Sequence, residues 1–204
     1  MQSTVRRLLI ASATAGTLAV LVPSAATAAP RAVQAMPAAA TQALPSYDTW
    51  IGDVTAVTDQ AALYLRTRLP DPTAHPAIVL DIDNTALAST YRPGILSPAT
   101  PPVLALAQQA HDAGAAVIFV TARPEILRPL TKENLQDAGY PDDGLYMRPW
   151  FDSESDQSLK TAARVTIESQ GYTIVANIGN NDSDLAGGHA ERTFKLPDYN
   201  GQLD

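Results

Sequence analysis

Apolar positions along the chain fall into alternating helical and strand-like patterns. Between Tyr47 and Leu69, the residues Trp50, Val54, Val57, Ala61, Leu65 and Leu69 recur at helical spacing, and Pro70-Asp71-Pro72 ends the run. After Pro76, Ala77-Ile78-Val79-Leu80 is a short continuous apolar run, the signature of a strand covered on both faces. A helix is predicted from Pro102 to Ala113, closed by Gly114, and a second buried strand from Ala115 to Val120, ending in Thr121-Ala122-Arg123-Pro124. Pro124 is expected to open another helix, running to Ala138-Gly139. Leu145-Tyr146-Met147 is a short strand candidate, Gln157 to Ser169 a helix, and Tyr172 to Ile178 a third clear strand.

Strands alternating with helices over short connections predict an α/β domain, with a parallel sheet, right-handed crossovers and helices on both faces. Ligands of such sheets bind beyond the carboxyl ends of the strands, where the strand order reverses. The residues expected there are Asp81 and Asp83, then Thr121, then Gly179 to Asp184.

The start of the chain has a different character. Arg6-Arg7, an apolar stretch of small residues from Leu8 to Val22, and Ala26-Thr27-Ala28 together read as a secretory signal peptide over residues 1–28. The stretch is too short and too diluted by Ser, Thr and Gly for a membrane span, so no anchor is expected after cleavage. The paired arginines fit a twin-arginine signal only loosely, which favours the ordinary export route. Residues 29–45 are Ala/Pro-rich, carry one charge, and read as a flexible tether; residues 46–204 then suit one domain with a real core.

Composition narrows the chemistry. The formal charge of −7 argues against a grip on nucleic acid by bulk charge. With no cysteine, thiolate zinc sites, cysteine nucleophiles and disulfides are excluded, so any catalysis uses oxygen and nitrogen groups. Asp81-Ile82-Asp83-Asn84-Thr85 puts two carboxylates where a buried strand opens. Such neighbours call for a bound cation, a shared proton or both. An Asp-x-Asp turn, with Asn84 and Thr85 capping a helix, is the structural alternative.

These residues together resemble the haloacid dehalogenase (HAD) superfamily, and within it the secreted acid phosphatases of subfamily IIIB. Asp81-Ile82-Asp83-Asn84-Thr85 is similar to the family's first motif, Thr121 to the second, Lys160 in Leu159-Lys160-Thr161 to the third, and Gly179-Asn180-Asn181-Asp182-Ser183-Asp184 to the fourth. The resemblance implies a three-layer Rossmann-like core and a phosphomonoesterase working through an aspartyl-phosphate. By the same resemblance, Asp81 would be the nucleophile and Asp83 the acid and base, kept protonated by the charge of Asp81. Thr121 and Lys160 would hold the phosphoryl oxygens. Mg²⁺ is the implied cofactor, with Asp81, the Asp83 carbonyl, Asn180 and Asp184 as expected ligands. Arg123 could touch phosphate or pair with Glu125.

One departure matters. The family's fourth motif begins Gly-Asp, whereas Asn180 follows Gly179 here. An amide ligates Mg²⁺ without charge, so three outcomes are open: a weaker metal site, a site rewired through Asp182, or a silent relative that binds a phosphorylated ligand. A calcium loop over Asn180, Asp182, Asp184 and Glu191 fails because Leu185 stands at the glycine position. His75, His111 and His189 match no motif.

The segment from Ala86 to Pro101 is too short for a full cap domain, so the cap should be minimal and the cleft open, or lidded by the N-terminal helix or another subunit. Tyr91 and Arg92 in it are candidate substrate contacts, with an exposed loop as the simpler account. The partners expected are a small phosphomonoester and, through such a lid, a second copy of the chain.

Overall fold

The computed structural model describes residues 43–70 and 75–203. The expected leader, 1–28, and most of the tether, 29–45, lie outside the described residues. Among the described residues, five helices (α1, Tyr47–Arg68; α2, Pro101–Asp112; α3, Arg128–Asp137; α4, Asp156–Ser169; α5, Asp182–Leu185) accompany five strands (β1, Pro76–Leu80; β2, Ala116–Pro124; β3, Gly144–Arg148; β4, Thr173–Gly179; β5, Thr193–Lys195). All strand pairs are parallel, in the order β3-β2-β1-β4-β5. The order reverses beside β1, and that is where a parallel sheet opens a crevice.

Each predicted strand forms where an apolar run can be covered twice. Ile78 and Leu80 of β1 face a cluster with Trp50, Val54, Ala61 and Leu65 of α1 and Val103, Leu106 and Ala107 of α2. Ala77 and Val79 face the opposite cluster, with Ala163 and Ile167 of α4. The result is three layers, helix on sheet on helix, as the strand-helix alternation implies.

Local signals set the helix ends. Ser46 caps α1 by accepting the Thr49 N–H at 3.2 Å, and Ser155 caps α4 by accepting the Ser158 N–H at 3.2 Å. Gly114 leaves α2 at φ +89°, a conformation that favours glycine.

Two elements differ from expectation. Pro124 ends β2 rather than opening a helix; a 3₁₀ turn at Glu125–Leu127 intervenes, and α3 begins at Arg128. The fork of Arg128 on Glu125 stitches that turn, which settles Glu125 away from Arg123. The short elements α5 and β5 were not anticipated.

The connection from β1 to α2 contains no helix or strand, only bridges of Leu87 to Asp83 and Ala99. It is a minimal cap. Tyr91 stacks on Trp50 at 4.7 Å and donates to the Pro45 carbonyl, while Arg92 lies over the Tyr47 ring. Both residues tie the connection to the start of α1, and neither lines the crevice. Among the described residues no helix is long and apolar enough to cross a membrane.

Candidate active site

A pocket of about 300 Å³ at the carboxyl ends of the strands is lined by Asp81, Asp83, Thr121, Arg123, Lys160, Asn180 and Asp184. The catalytic, phosphate-binding and metal-ligating candidates predicted from the sequence therefore line one cavity, whereas Tyr91 and Arg92 do not. Asp81 follows β1 directly, and its N–H donates to the Ile178 carbonyl of β4 at 3.0 Å, which seats the nucleophile candidate on the central strand pair. Thr121 and Arg123 lie in the last residues of β2, where its pairing with β3 shifts register. Lys160 is carried inward by the buried face of α4.

Lys160 is the electrostatic hub. Only 5% exposed, it donates to Asp81 Oδ1 at 2.7 Å and to Asp184 Oδ1. Burial alone would lower its pKa, but the carboxylates of Asp81 and Asp184 reverse that and hold it above the usual lysine range. This lysine is no solvated surface group. Two carboxylates around one ammonium leave one excess negative charge, and the cost falls on Asp81. Burial, then the Asp184 carboxylate, push its pKa up to about 7 against the pull of Lys160.

Asp83 behaves in the opposite way to the expectation that it is held protonated. Arg123 grips it with both arms of the guanidinium, Nε to Oδ2 at 2.8 Å and a terminal nitrogen to Oδ1 at 2.6 Å. Partial burial raises its pKa, but the fork outweighs burial and brings it below the ordinary carboxylate value. The perturbation toward the protonated form sits on Asp81 instead. Arg123 thus enters the pocket as the partner of Asp83.

Asp184 is held by Lys160 on one oxygen and by the Asn181 N–H on the other, at 2.8 Å. Gly179 allows this: a Cβ there would lie 2.3 Å from Asp184 Oδ2. Asn180 is engaged at both ends of its amide. Oδ1 accepts from the Thr85 hydroxyl at 3.0 Å, and Nδ2 donates to the Leu203 carbonyl at 2.9 Å. Asp182 does not line the pocket: its side chain is 93% exposed and pairs with Lys195 at 3.2 Å. Among the described residues no three acidic or imidazole side chains converge as a metal cage.

The histidines stay outside the pocket. His75 stacks on Tyr172, His111 lies 3.8 Å from Asp143, and His189 pairs with Glu168 at 2.7 Å.

Sequence reasoning missed the scaffold behind the fourth motif. Arg164, one helical turn after Lys160 and fully buried, donates to the carbonyls of Asp184 at 2.6 Å, Gly188 at 2.9 Å and Ala186. Asn177 adds a bond to the Asp184 carbonyl at 2.9 Å. The available signal was a second cation at i+4 on the inward face of α4.

The sequence model of the HAD superfamily, subfamily IIIB (acid phosphatase), matches residues 95–202, more than half of the chain. The chain belongs to this family. The matched segment contains Thr121, Lys160 and the Asn180–Asp184 loop and begins after Asp81 and Asp83. Among curated relatives, the stem 28 kDa glycoprotein of Glycine max is 39% identical over 106 residues, covering 50% of this chain and 42% of the relative. Acid phosphatase 1 of Solanum lycopersicum is 29% identical over 168 residues, covering 71% of this chain and 66% of the relative. The match thus spans about two fifths of the first relative's length. Among solved structures, the class C acid phosphatase from Bacillus anthracis superposes with a TM-score of 0.54 at 23% identity, covering 69% of each chain. That likeness shows the HAD-type fold.

Proposed function

We propose that this subfamily IIIB domain is an exported phosphomonoesterase that forms an aspartyl-phosphate at Asp81. The observation that carries the reading is the buried Asp81 carboxylate, held at 2.7 Å by Lys160 in a pocket that also contains Thr121, Arg123 and Asp83. Asp81 attacks phosphorus, the ester P–O bond breaks, and the departing alkoxide takes a proton from Asp83, which has taken it up from solvent once the arriving phosphate draws Arg123 off its carboxylate. In the second half, Asp83 takes a proton from water, the hydroxide attacks phosphorus, and the bond to Asp81 breaks to free phosphate. Thr121 and Lys160 hold the charge on the phosphoryl oxygens. A guanidinium fork fits phosphate as it fits carboxylate, so an arriving phosphate competes with Asp83 for Arg123 and frees Asp83 for proton transfer.

The donor set fits a hard divalent ion in part. It is all oxygen and carries one excess negative charge, but Asn180 and Asp184 already have internal partners. The Asp81 carboxylate and the Asp83 main-chain carbonyl would hold Mg²⁺, in keeping with an ion that binds one or two carboxylates and keeps much of its water. When bound, it supplies charge neutralisation at the phosphoryl oxygens.

The test is phosphate release from a generic aryl phosphate across pH, with Mg²⁺ and with chelator, for the wild type and Asp81→Asn. Metal-dependent turnover abolished in the variant is expected; absence of turnover from the wild type at any pH would overturn the reading. The engaged amide of Asn180 favours a second reading, a pocket that binds phosphate without turnover, which predicts a raised melting temperature with phosphate and no release. Export rests on the Arg6-Arg7 and Leu8–Val22 pattern, and a mature N-terminus at Ala29 is its check.

A further inference from the structure

Residues 198–203, which follow β5, close back over the two catalytic loops along an unusual path. Tyr199, Asn200 and Gly201 stand consecutively at φ 52°, 60° and 77°. Left-handed conformation is ordinary for a single glycine but costly for successive residues with side chains, so it persists only where surrounding contacts over-determine it. Those contacts are visible. The Tyr199 hydroxyl donates to Asp53 at 2.7 Å, Lys195 donates to Asp198 at 2.7 Å, and the N–H groups of Gln202 and Leu203 donate to the Asp198 carbonyl at 3.0 and 3.2 Å. The Leu203 side chain is buried in the core cluster of α1 and α2, and Leu203 also lines the catalytic pocket.

The strap ends on one atom. The Leu203 carbonyl accepts from Asn84 Nδ2 at 2.8 Å and from Asn180 Nδ2 at 2.9 Å. Asn84 belongs to the loop that carries Asp81 and Asp83, and Asn180 to the loop that carries Asp184. Both amides are oriented by their other ends: Asn84 Oδ1 accepts the Thr90 N–H at 2.9 Å, and Asn180 Oδ1 accepts from the Thr85 hydroxyl. That hydroxyl in turn accepts the Asn180 N–H at 3.1 Å, so its own proton is committed to the amide oxygen. An amide at position 180 can therefore donate to Leu203, whereas a carboxylate would set oxygen against oxygen. Asn84 is itself buried at φ 54°, a further left-handed residue held by the same junction.

We infer that Asn84 and Asn180 form a two-amide latch on the Leu203 carbonyl, through which the strap fixes the spacing of the β1 and β4 catalytic loops, and that Asn180 is a positioning residue rather than a metal ligand. The latch is a property of the folded chain, and its consequence for turnover rests on the function proposed above.

Amide hydrogen exchange on the full chain reads the latch without turnover. Asn180→Ala should speed exchange at Gln202 and Leu203 by at least about tenfold, because the opening becomes local. Gly201→Val, which disfavours the left-handed turn that delivers Leu203, should do the same. The double variant should be no faster than the faster single, because both act on one junction. In the enzymatic assay, kcat of Asn180→Ala should fall while the Mg²⁺ concentration giving half-maximal rate stays within about twofold. Unchanged exchange in Asn180→Ala, or effects that multiply in the double variant, would overturn the latch. A tenfold higher Mg²⁺ requirement would overturn the positioning role and make Asn180 a ligand.

Discussion

Replacing Lys160 by methionine keeps most of the side-chain volume and removes the charge that two buried carboxylates share. The side chains of Lys160, Asp81 and Asp184 are 6%, 8% and 2% exposed, so solvent screens little of the interaction. At 2.7 Å from Asp81, attraction at an effective dielectric of 20 is about 6 kcal/mol, most of it offset by desolvation. Removing one partner of such a cluster costs about 3–5 kcal/mol, because the remaining charges stay buried and unpaired. At about 2–4 °C per kcal/mol for a domain of this size, the melting temperature of the metal-free protein should fall by about 6–20 °C at pH 8. The loss should shrink at pH 5. The folded-state pKa of Asp81, already about 7 with Lys160 present, lies above its unfolded value of 3.8, so the folded state binds the extra proton between those values and gains stability as pH falls. Urea unfolding of both proteins in chelator at the two pH values measures the difference. A loss below about 1 kcal/mol at pH 8, or one that grows on acidification, would refute the account of Lys160 as the charge that keeps the two carboxylates together.

Gly179→Ala should unfold or strongly destabilise the fourth-motif loop, by more than about 2 kcal/mol in thermal melts, because the new methyl overlaps the Asp184 side chain; a change below about 0.5 kcal/mol would show that Asp184 can move aside. Arg123→Ala should raise KM for an aryl phosphate by about tenfold or more, through loss of a bidentate phosphate partner, and an unchanged KM would leave Arg123 as a partner of Asp83 alone. The strap should loosen in acid. Hydrogen bonding to Lys195 holds Asp198 below its ordinary pKa, so the stability it contributes is present above about pH 4 and is lost as pH falls through its lower native value. Amide exchange at Gln202 and Leu203, corrected for intrinsic rates, should therefore accelerate in that window and stay level from pH 5 to 8.

The layered architecture is legible because β1 and the start of β2 are short continuous apolar runs and β4 is mostly apolar, each bounded by turn residues, the pattern of strands covered on both faces. Asp81, Thr121 and the loop from Gly179 are legible as site residues for the same reason, since a run that stops abruptly in polar groups marks the carboxyl end of a strand. What escapes is held by contacts rather than by pattern. Three residues of β5, with Phe194 alone buried, are too few to show a period, and α5 is one turn made by a capping box between Asn181 and Asp184 instead of by apolar spacing. Tyr91 reads as an exposed loop residue because nothing local announces that Trp50, 41 positions earlier, will stack on it. Arg164 reads as a polar helix position because hydropathy cannot distinguish a solvated cation from a buried one that donates to three backbone carbonyls. The bond of the Asn180 amide to the Leu203 carbonyl is hidden for a similar reason: Leu203 lies on a strap whose left-handed path no periodicity encodes.

The most direct measurement is mass spectrometry of protein quenched in acid during turnover of an aryl phosphate. A phosphoryl increment on the peptide containing Asp81, absent in Asp81→Asn, is the predicted result. Steady phosphate release with that peptide unmodified, or with the phosphoryl group found on another residue, would contradict the claim that this buried aspartate bonds to phosphorus.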